Sequence, residues 1–270
     1  MLPTLVIFAR ESLEASMIVA IILSYLRKIG RSDQVRRVYW GVATALLADF
    51  LVGCLIFLTI HRYQGTPLQT AFEGITYFIA AALLTVMSFW MKHQSRGLKK
   101  QLERRIDQSL QKSSGWALAL LAGVTVGREG LETAIFILAI AFHTRIAWLA
   151  TGAILGTTLG LGISTWIYRL GRKIPLVTFF NVFGVVLLVF SAALIADGIE
   201  NFQTLGWLPI GQMRLWHTGQ WLSESSALGD ILHTFLGYAS SPSLLQMLGY
   251  GSFMILAIIG YFRKPSPPQT

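Results

Sequence analysis

Charge is scarce in this sequence. Only 13% of its 270 residues are Asp, Glu, Lys or Arg, about half the ~25% usual in soluble domains. So few charged groups cannot wet the surface of a soluble globular protein of this length, which excludes that class. Cysteine is nearly absent: Cys54 stands by itself in an apolar run, can form no internal disulfide, and gives no reading of redox compartment. The five histidines, His61, His93, His143, His217 and His233, are scattered over predicted loops and span ends without a metal-ligand spacing, and read as solvated or interfacial. Without a Cys/His cluster, a zinc or soft-metal site is excluded. An ATP-binding segment is also lacking.

What is present is apolar. Hydrophobic residues make up 54% of the chain, and they fall in runs of about 20, long enough to cross a ~30 Å hydrocarbon core as helices. The runs are Leu2–Leu26, Val38–Ile60, Ala71–Met91, Gly115–Phe142, Ala147–Tyr168, Leu176–Asp197 and Leu244–Phe262. No basic stretch precedes the first run and no small-residue cleavage site follows Tyr25, so it reads as a retained span and not a signal peptide. The fold class expected is an all-α polytopic membrane protein with seven transmembrane helices. Its single transmembrane domain would occupy residues 1–262, followed by a disordered cytoplasmic tail at 263–270 that includes Pro265–Thr270.

The net charge of +9 does not point to nucleic acid, because of where the basic residues lie. Seventeen of the 22 lysines and arginines fall in Arg27–Arg37, Lys92–Ser114, Arg169–Pro175 and the tail from Arg263. The opposite side has only Arg62, Arg145 and Arg214. This bias places the N-terminus outside and the C-terminus in the cytoplasm. The segment Lys92–Ser114, with Leu98, Leu102, Ile106 and Leu110 at helical spacing, reads as an amphipathic helix on anionic lipid headgroups. The external stretch 198–243 carries Trp207, Trp216 and Trp221, which suit a membrane interface. In the fifth run, Gly152, Gly156, Gly160 and Gly162 give a small-xxx-small pattern for close helix packing.

The remaining two basic residues lie inside the spans. Arg10-Glu11-Ser12-Leu13-Glu14 sits in the first run and Arg128-Glu129-Gly130-Leu131-Glu132 in the fourth. A charge in hydrocarbon costs roughly 2.5–3.5 kcal/mol even on the lenient insertion scale, so six such residues are expected to pair and to serve function. Spans one and four run in opposite directions in an alternating topology. Residues about 1–91 and 115–197 would then be inverted-topology halves, with a site near the midplane where they meet. At ~1.5 Å per residue both motifs fall near mid-bilayer.

Glutamates at i and i+3 share a helix face. Glu11 and Glu14 can therefore face Glu129 and Glu132 as a cluster of oxygen donors. Arg10 and Arg128, each four residues before a glutamate, would keep the carboxylates ionised and oriented, either along their own helix or across to the other. Four carboxylates against two guanidiniums leave a charge of −2, and oxygen-only ligation suits ferric iron as well as Mg, Ca or Mn. The competing reading is a set of buried ion pairs that fixes helix register, which the duplication makes the weaker one. Asp49 within span two, and Glu73, Asp197 and Glu200 near external span ends, are candidates for a vestibule or pathway; solvated span ends or local pairs would also account for them.

At these residues the chain resembles the oxidase-dependent iron transporter family, the high-affinity iron permeases of fungi and bacteria, marked by two Arg-Glu-Gly-Leu-Glu motifs in the first and fourth transmembrane helices. The second copy matches fully and the first departs only at Ser12. Phe72-Glu73-Gly74-Ile75, Trp90-Met91-Lys92 and Gly115-Trp116-Ala117 look like the family's pattern. Gly237-Tyr238 and Pro242-Ser243 are similar to the ferrous-iron permeases of the bacterial Efe uptake system. The resemblance implies iron import across the cytoplasmic (inner) membrane, with Glu11, Glu14, Glu129 and Glu132 handling iron, as Fe²⁺ or Fe³⁺, as transported substrate and not as a permanent cofactor. It also implies partners: a multicopper ferroxidase in fungi, and in bacteria periplasmic iron-oxidising or iron-delivery proteins. Some relatives are assigned to lead uptake.

The reading is a permease, not an enzyme, with no catalytic residue. Its rivals are a permease for manganese or lead, a metal sensor, and a membrane-embedded carboxylate metalloenzyme. The last is disfavoured because no histidine follows any motif glutamate by three positions, as di-iron Glu-x-x-His sites require.

Overall fold

The computed structural model describes residues 2–61, 66–94, 98–111, 116–141, 146–170, 176–224 and 226–263. The long helices among them are α1 (Leu2–Lys28), α2 (Val35–His61), α3 (Pro67–Gln94), α5 (Ala117–Ala141), α6 (Ile146–Leu170), α7 (Leu176–Thr204) and α9 (Leu244–Phe262). Two short ones, α4 (Leu98–Gln111) and α8 (Ala227–Leu236), lie between them. Among the described residues the only β pairing is an isolated bridge between Arg214 and Ser243.

Among the described residues, five stretches are long and apolar enough to cross a membrane: Ser32–Leu55, Pro67–Trp90, Ile146–Trp166, Asn181–Thr204 and Leu244–Phe262. The two other long helices, α1 and α5, have 27 and 25 residues, and each carries the three charges of its motif. This is the helix content of an integral membrane protein, in which the helix satisfies every backbone donor and acceptor internally. Hydroxyls inside these helices follow the same rule. Thr76 donates to the Phe72 carbonyl, Ser88 to Leu84, Thr125 to Leu121 and Ser191 to Leu187, all at 2.6–2.8 Å.

The chain forms two compact units. One comprises Met1–Gln64 and Gln94–Leu176, the other Gly65–His93 and Val177–Thr270. The first unit therefore holds α1, α2, α4, α5 and α6, and both motifs fall within it.

Glycine sets the packing of that unit. A Cβ at Gly156 would collide with the Leu5 carbonyl, and one at Gly160 with the Ala9 carbonyl, so α6 lies directly on the backbone of α1. Gly41 of α2 meets the Ala119 carbonyl of α5 in the same way, and a Cβ at Gly123 would stand 2.9 Å from the Gly41 carbonyl. In both pairs the contacts advance in step along the two helices, so α1 and α6 run parallel, as do α2 and α5. The glycine packing expected of the fifth run is present at Gly156 and Gly160, and Gly152 is buried, whereas Gly162 faces open space.

The Ile18–Leu26 half of α1 packs with Leu118 and Ala122 at the start of α5, which makes these two helices antiparallel. Leu102 and Ile106 of α4 are buried in the same cluster. The amphipathic helix expected on lipid headgroups thus spends its apolar face on α1 and α5. The sequence periodicity identified that face but not what it covers.

In the second unit, the Tyr261 ring of α9 stands edge-on to Phe89 of α3 at 5.8 Å, and Gly184 of α7 makes room for its hydroxyl. Lys92 donates to the Tyr261 carbonyl and lies 4.5 Å from the same ring's centroid, a cation–π contact. Helix α9 begins with a capping box, in which Ser243 accepts from the Gln246 N–H and Gln246 accepts from the Ser243 N–H. Helix α8 starts at the N-cap Ser226 and stops at Gly237, whose φ of 68° suits a residue without Cβ. Helix α7 continues to Thr204, seven residues beyond its expected end, so Asp197 and Glu200 belong to a helix and not to its terminus. Trp207, Trp216 and Trp221 are all exposed. Arg62, His143, Arg145 and the tail Pro265–Thr270 lie outside the described residues.

Candidate functional site

The buried side of α1 follows helical spacing: Thr4, Ile7, Arg10, Glu11, Leu13, Glu14, Ile18, Ile22 and Leu26. A charged motif placed on this stripe must be neutralised locally, and its spacing permits that. The Arg10 guanidinium, 1% exposed, donates to the Glu11 carboxylate and, at 3.3 Å, from Nη2 to Glu14 Oε2. On α5, Arg128 donates from Nε to Glu132 Oε1 at 2.8 Å, with about half of its side chain exposed. Each arginine therefore pairs along its own helix, one of the two arrangements that the sequence left open.

The antiparallel crossing of α1 and α5 then brings carboxylates of both motifs together. Glu11, Glu14 and Glu129 are buried, and each presents an oxygen within 4.8 Å of the others. That spacing fits one cation, since hard metal ions hold oxygen ligands at roughly 2.0–2.6 Å. Glu132 is buried too but turns to Arg128, outside the three-residue group. Glu11 Oε2, Glu129 Oε2 and Glu132 Oε2 are shielded from solvent and make no hydrogen bond. Buried carboxylate oxygens without donors are costly unless a cation or a proton neutralises them.

Beside the cluster, within the same unit, is a cavity of about 590 Å³. Glu11 and Glu129 line it, Asp49 of α2 joins them, and the remaining wall is mostly apolar, with Phe8, Phe50 and Ile137 among its residues. Asp49 thus lies at the motif region.

The other three acidic candidates sit in the second unit. Glu73 is buried and accepts from Gln69 Nε2 at 2.6 Å. Glu200 accepts from Gln246 Nε2 at 2.9 Å and stands 3.8 Å from Arg214. Asp197 lies 4.0 Å from His233 Nε2.

His233 is the residue that the sequence reading missed. It is a partly buried group with its Nδ1 2.8 Å from the Tyr238 carbonyl, and not a solvated one. Burial would lower its pKa, but Asp197, the Tyr238 carbonyl and Glu224 outweigh burial and raise it. Nothing local could have shown this, because Asp197 is 36 positions away. Glu224 is held below the usual carboxylate range despite burial, since it accepts from the Ser240 N–H.

The Iron permease FTR1 family matches residues 1–262. The ferrous iron permease EfeU of Yersinia pestis is 35% identical over 266 residues, covering 97% of this chain and 93% of its own. EfeU of Escherichia coli and EfeU of Shigella sonnei are each 32% identical over 267 residues, covering 98% of this chain and 96% of theirs. No solved structure matches the chain.

Proposed function

The chain belongs to the iron permease FTR1 family, and from that premise we propose that it imports iron across the cytoplasmic membrane through the carboxylates that α1 and α5 bring together. The observation that carries this reading is the meeting of Glu11, Glu14 and Glu129 from two antiparallel helices, buried and within 4.8 Å of one another. A cation entering there exchanges water for glutamate oxygens. Arg10 and Arg128 keep the carboxylates ionised and hold their orientation, and Glu132, tied to Arg128, takes up the ion when that pair opens. That the relatives are ferrous iron permeases by name supports the ferrous ion as cargo. The membrane potential favours its inward movement by ~2.3 kcal/mol per charge per 100 mV.

The topology belongs to the same proposal: seven spans (α1, α2, α3, α5, α6, α7 and α9), the N-terminus outside, and two inverted halves. The parallel pairing of α1 with α6 and of α5 with α2 supports it, because inverted repeats make equivalent partnerships. Glu73, Asp197 and Glu200 serve as the external acidic entry, where a periplasmic or extracellular iron oxidase or delivery protein hands over the ion. The bilayer is the chain's other partner, and nucleic acid is none.

The test is uptake of radioactive iron into liposomes that contain only this protein, with Fe²⁺ under ascorbate or chelated Fe³⁺ outside. Wild type should accumulate Fe²⁺, and Glu14→Gln and Glu132→Gln should reduce that at least tenfold at equal protein levels. Retention of uptake by both variants would sink the glutamate path. An oxygen-only donor set also admits manganese or lead; if either abolishes iron uptake at equimolar concentration, the cargo is broader than iron.

A further inference from the structure

Asp49 has no described role among the pairs that explain the other intramembrane charges. No hydrogen bond or ion pair reaches it from the described residues, and its Oδ2 is shielded from solvent without a hydrogen-bond partner. Its place is nonetheless tightly specified. Its carboxylate lies flat on the α5 backbone, where a Cβ at Gly130 would overlap both Oδ2 and Cγ, and a Cβ at Gly127 would stand 3.9 Å from Oδ1. Gly130 directly follows Glu129, so the Asp49 carboxylate packs on the α5 backbone at the residue next in sequence to a cluster glutamate.

Asp49 also lines the same cavity as Glu11 and Glu129. Those two side chains are more than nine-tenths buried, and each has an oxygen that lacks a hydrogen bond. Three acidic walls therefore converge on one mostly apolar space. Asp49 is absent from the group whose oxygens all lie within 4.8 Å, so it is not a further donor to the same ion.

Resting on the permease reading above, we propose that Asp49 is a second cation station of the path, one step from the glutamate cluster, reached through the cavity that α1, α2, α5 and α6 share. It takes a hard divalent ion and passes it to or from Glu11 and Glu129. Gly130 is the residue that admits it, because any side chain there would displace the carboxylate. An apolar helix keeps an unneutralised acid where the acid meets cations.

The experiment compares wild type with Asp49→Asn, Asp49→Glu and Glu14→Gln in three readouts: Fe²⁺ uptake against concentration in liposomes, Mn²⁺ bound per chain in detergent by electron paramagnetic resonance, and thermal unfolding without metal. The result expected for Asp49→Asn is one Mn²⁺ fewer per chain, a half-saturating Fe²⁺ concentration raised about tenfold, and an unchanged or higher unfolding temperature. Asp49→Glu, which keeps the charge, should keep the second Mn²⁺. A purely structural Asp49 would instead lower the unfolding temperature on conversion to Asn and leave Mn²⁺ stoichiometry alone, which would overturn the inference. So would equal Mn²⁺ binding by wild type and Asp49→Asn with matching uptake curves, or loss of the second Mn²⁺ in Asp49→Glu. Absence of Fe²⁺ uptake by wild type would overturn the permease reading itself, and this station with it.

Discussion

The two motif helices carry nearly the same five residues in opposite packing. On α1 the middle residue is Ser12, and glycine stands across from it: a Cβ at Gly160 of α6 would meet the Ser12 side chain at 3.0 Å. On α5 the middle residue is Gly130, and the bulk stands across from it as Asp49 of α2. Each interface thus has one small member, supplied by the motif helix in one case and by its partner in the other. The arginines differ as well. Arg10 is fully enclosed and serves two glutamates, whereas Arg128 is half exposed with Glu132 as its described partner in an ion pair. The same motif can therefore be locked or open according to its neighbours, and the departure at Ser12 is matched by Gly160 without disturbing the carboxylates.

Removing the arginines should break the comparison most visibly. Arg10→Ala would leave Glu11 and Glu14 buried without their cation, a loss of about 3–5 kcal/mol. Arg128→Ala should cost less, about 1–3 kcal/mol, because it strips one buried carboxylate, Glu132, of its described ion-pair partner, where Arg10→Ala strips two. Thermal unfolding in detergent at fixed pH should rank Arg10→Ala well below Arg128→Ala, and equal losses would mean that the two environments are equivalent. Gly130→Ala comes next, at about 1–3 kcal/mol of overpacking. The diagnostic is its coupling: in an Asp49→Ala background the same substitution should cost much less, and additive losses in the double variant would show that Asp49 is not the obstacle. Ser12→Gly should have the smallest effect, within about 1 kcal/mol, the cost of a helical glycine, with uptake retained. A large loss of uptake there would mean that the Ser12 hydroxyl has a role of its own.

Much of this arrangement was legible in the sequence, for physical reasons that also mark where legibility ended. The motifs stood out because charge in an apolar run has few explanations. The i, i+3 spacing implied shared faces, and the i, i+4 spacing allowed each arginine to pair along its own helix or across to the other; the pairs Arg10–Glu14 and Arg128–Glu132 lie along the helix. Gly156 and Gly160 announced a close helix contact but not that α1 would provide it, since small residues specify distance and not identity. The periodicity of Leu102 and Ile106 gave an apolar face, which lipid and protein satisfy equally well at the level of pattern. His233 and Asp197 were invisible as a pair because neither has a local signal for the other. The extent of α7 was missed because Glu200, Asn201 and Gln203 look like a span end, although a helix can continue into polar sequence when its side chains find partners, as Glu200 does with Gln246.

The backbone contact between α1 and α6 has a mechanical consequence. Ordinary helix interfaces slide by small rotamer adjustments, because a layer of side chains separates the two cylinders. Where Gly160 rests on the Ala9 carbonyl and Gly156 on that of Leu5, no such layer exists. The two helices form a single strut that can tilt or translate as a whole but cannot shear along its own length. Glu11 and Glu14 are bolted to that strut, so their distance from α6 stays fixed, and any change in the spacing of the carboxylate cluster must arise where α1 meets α5.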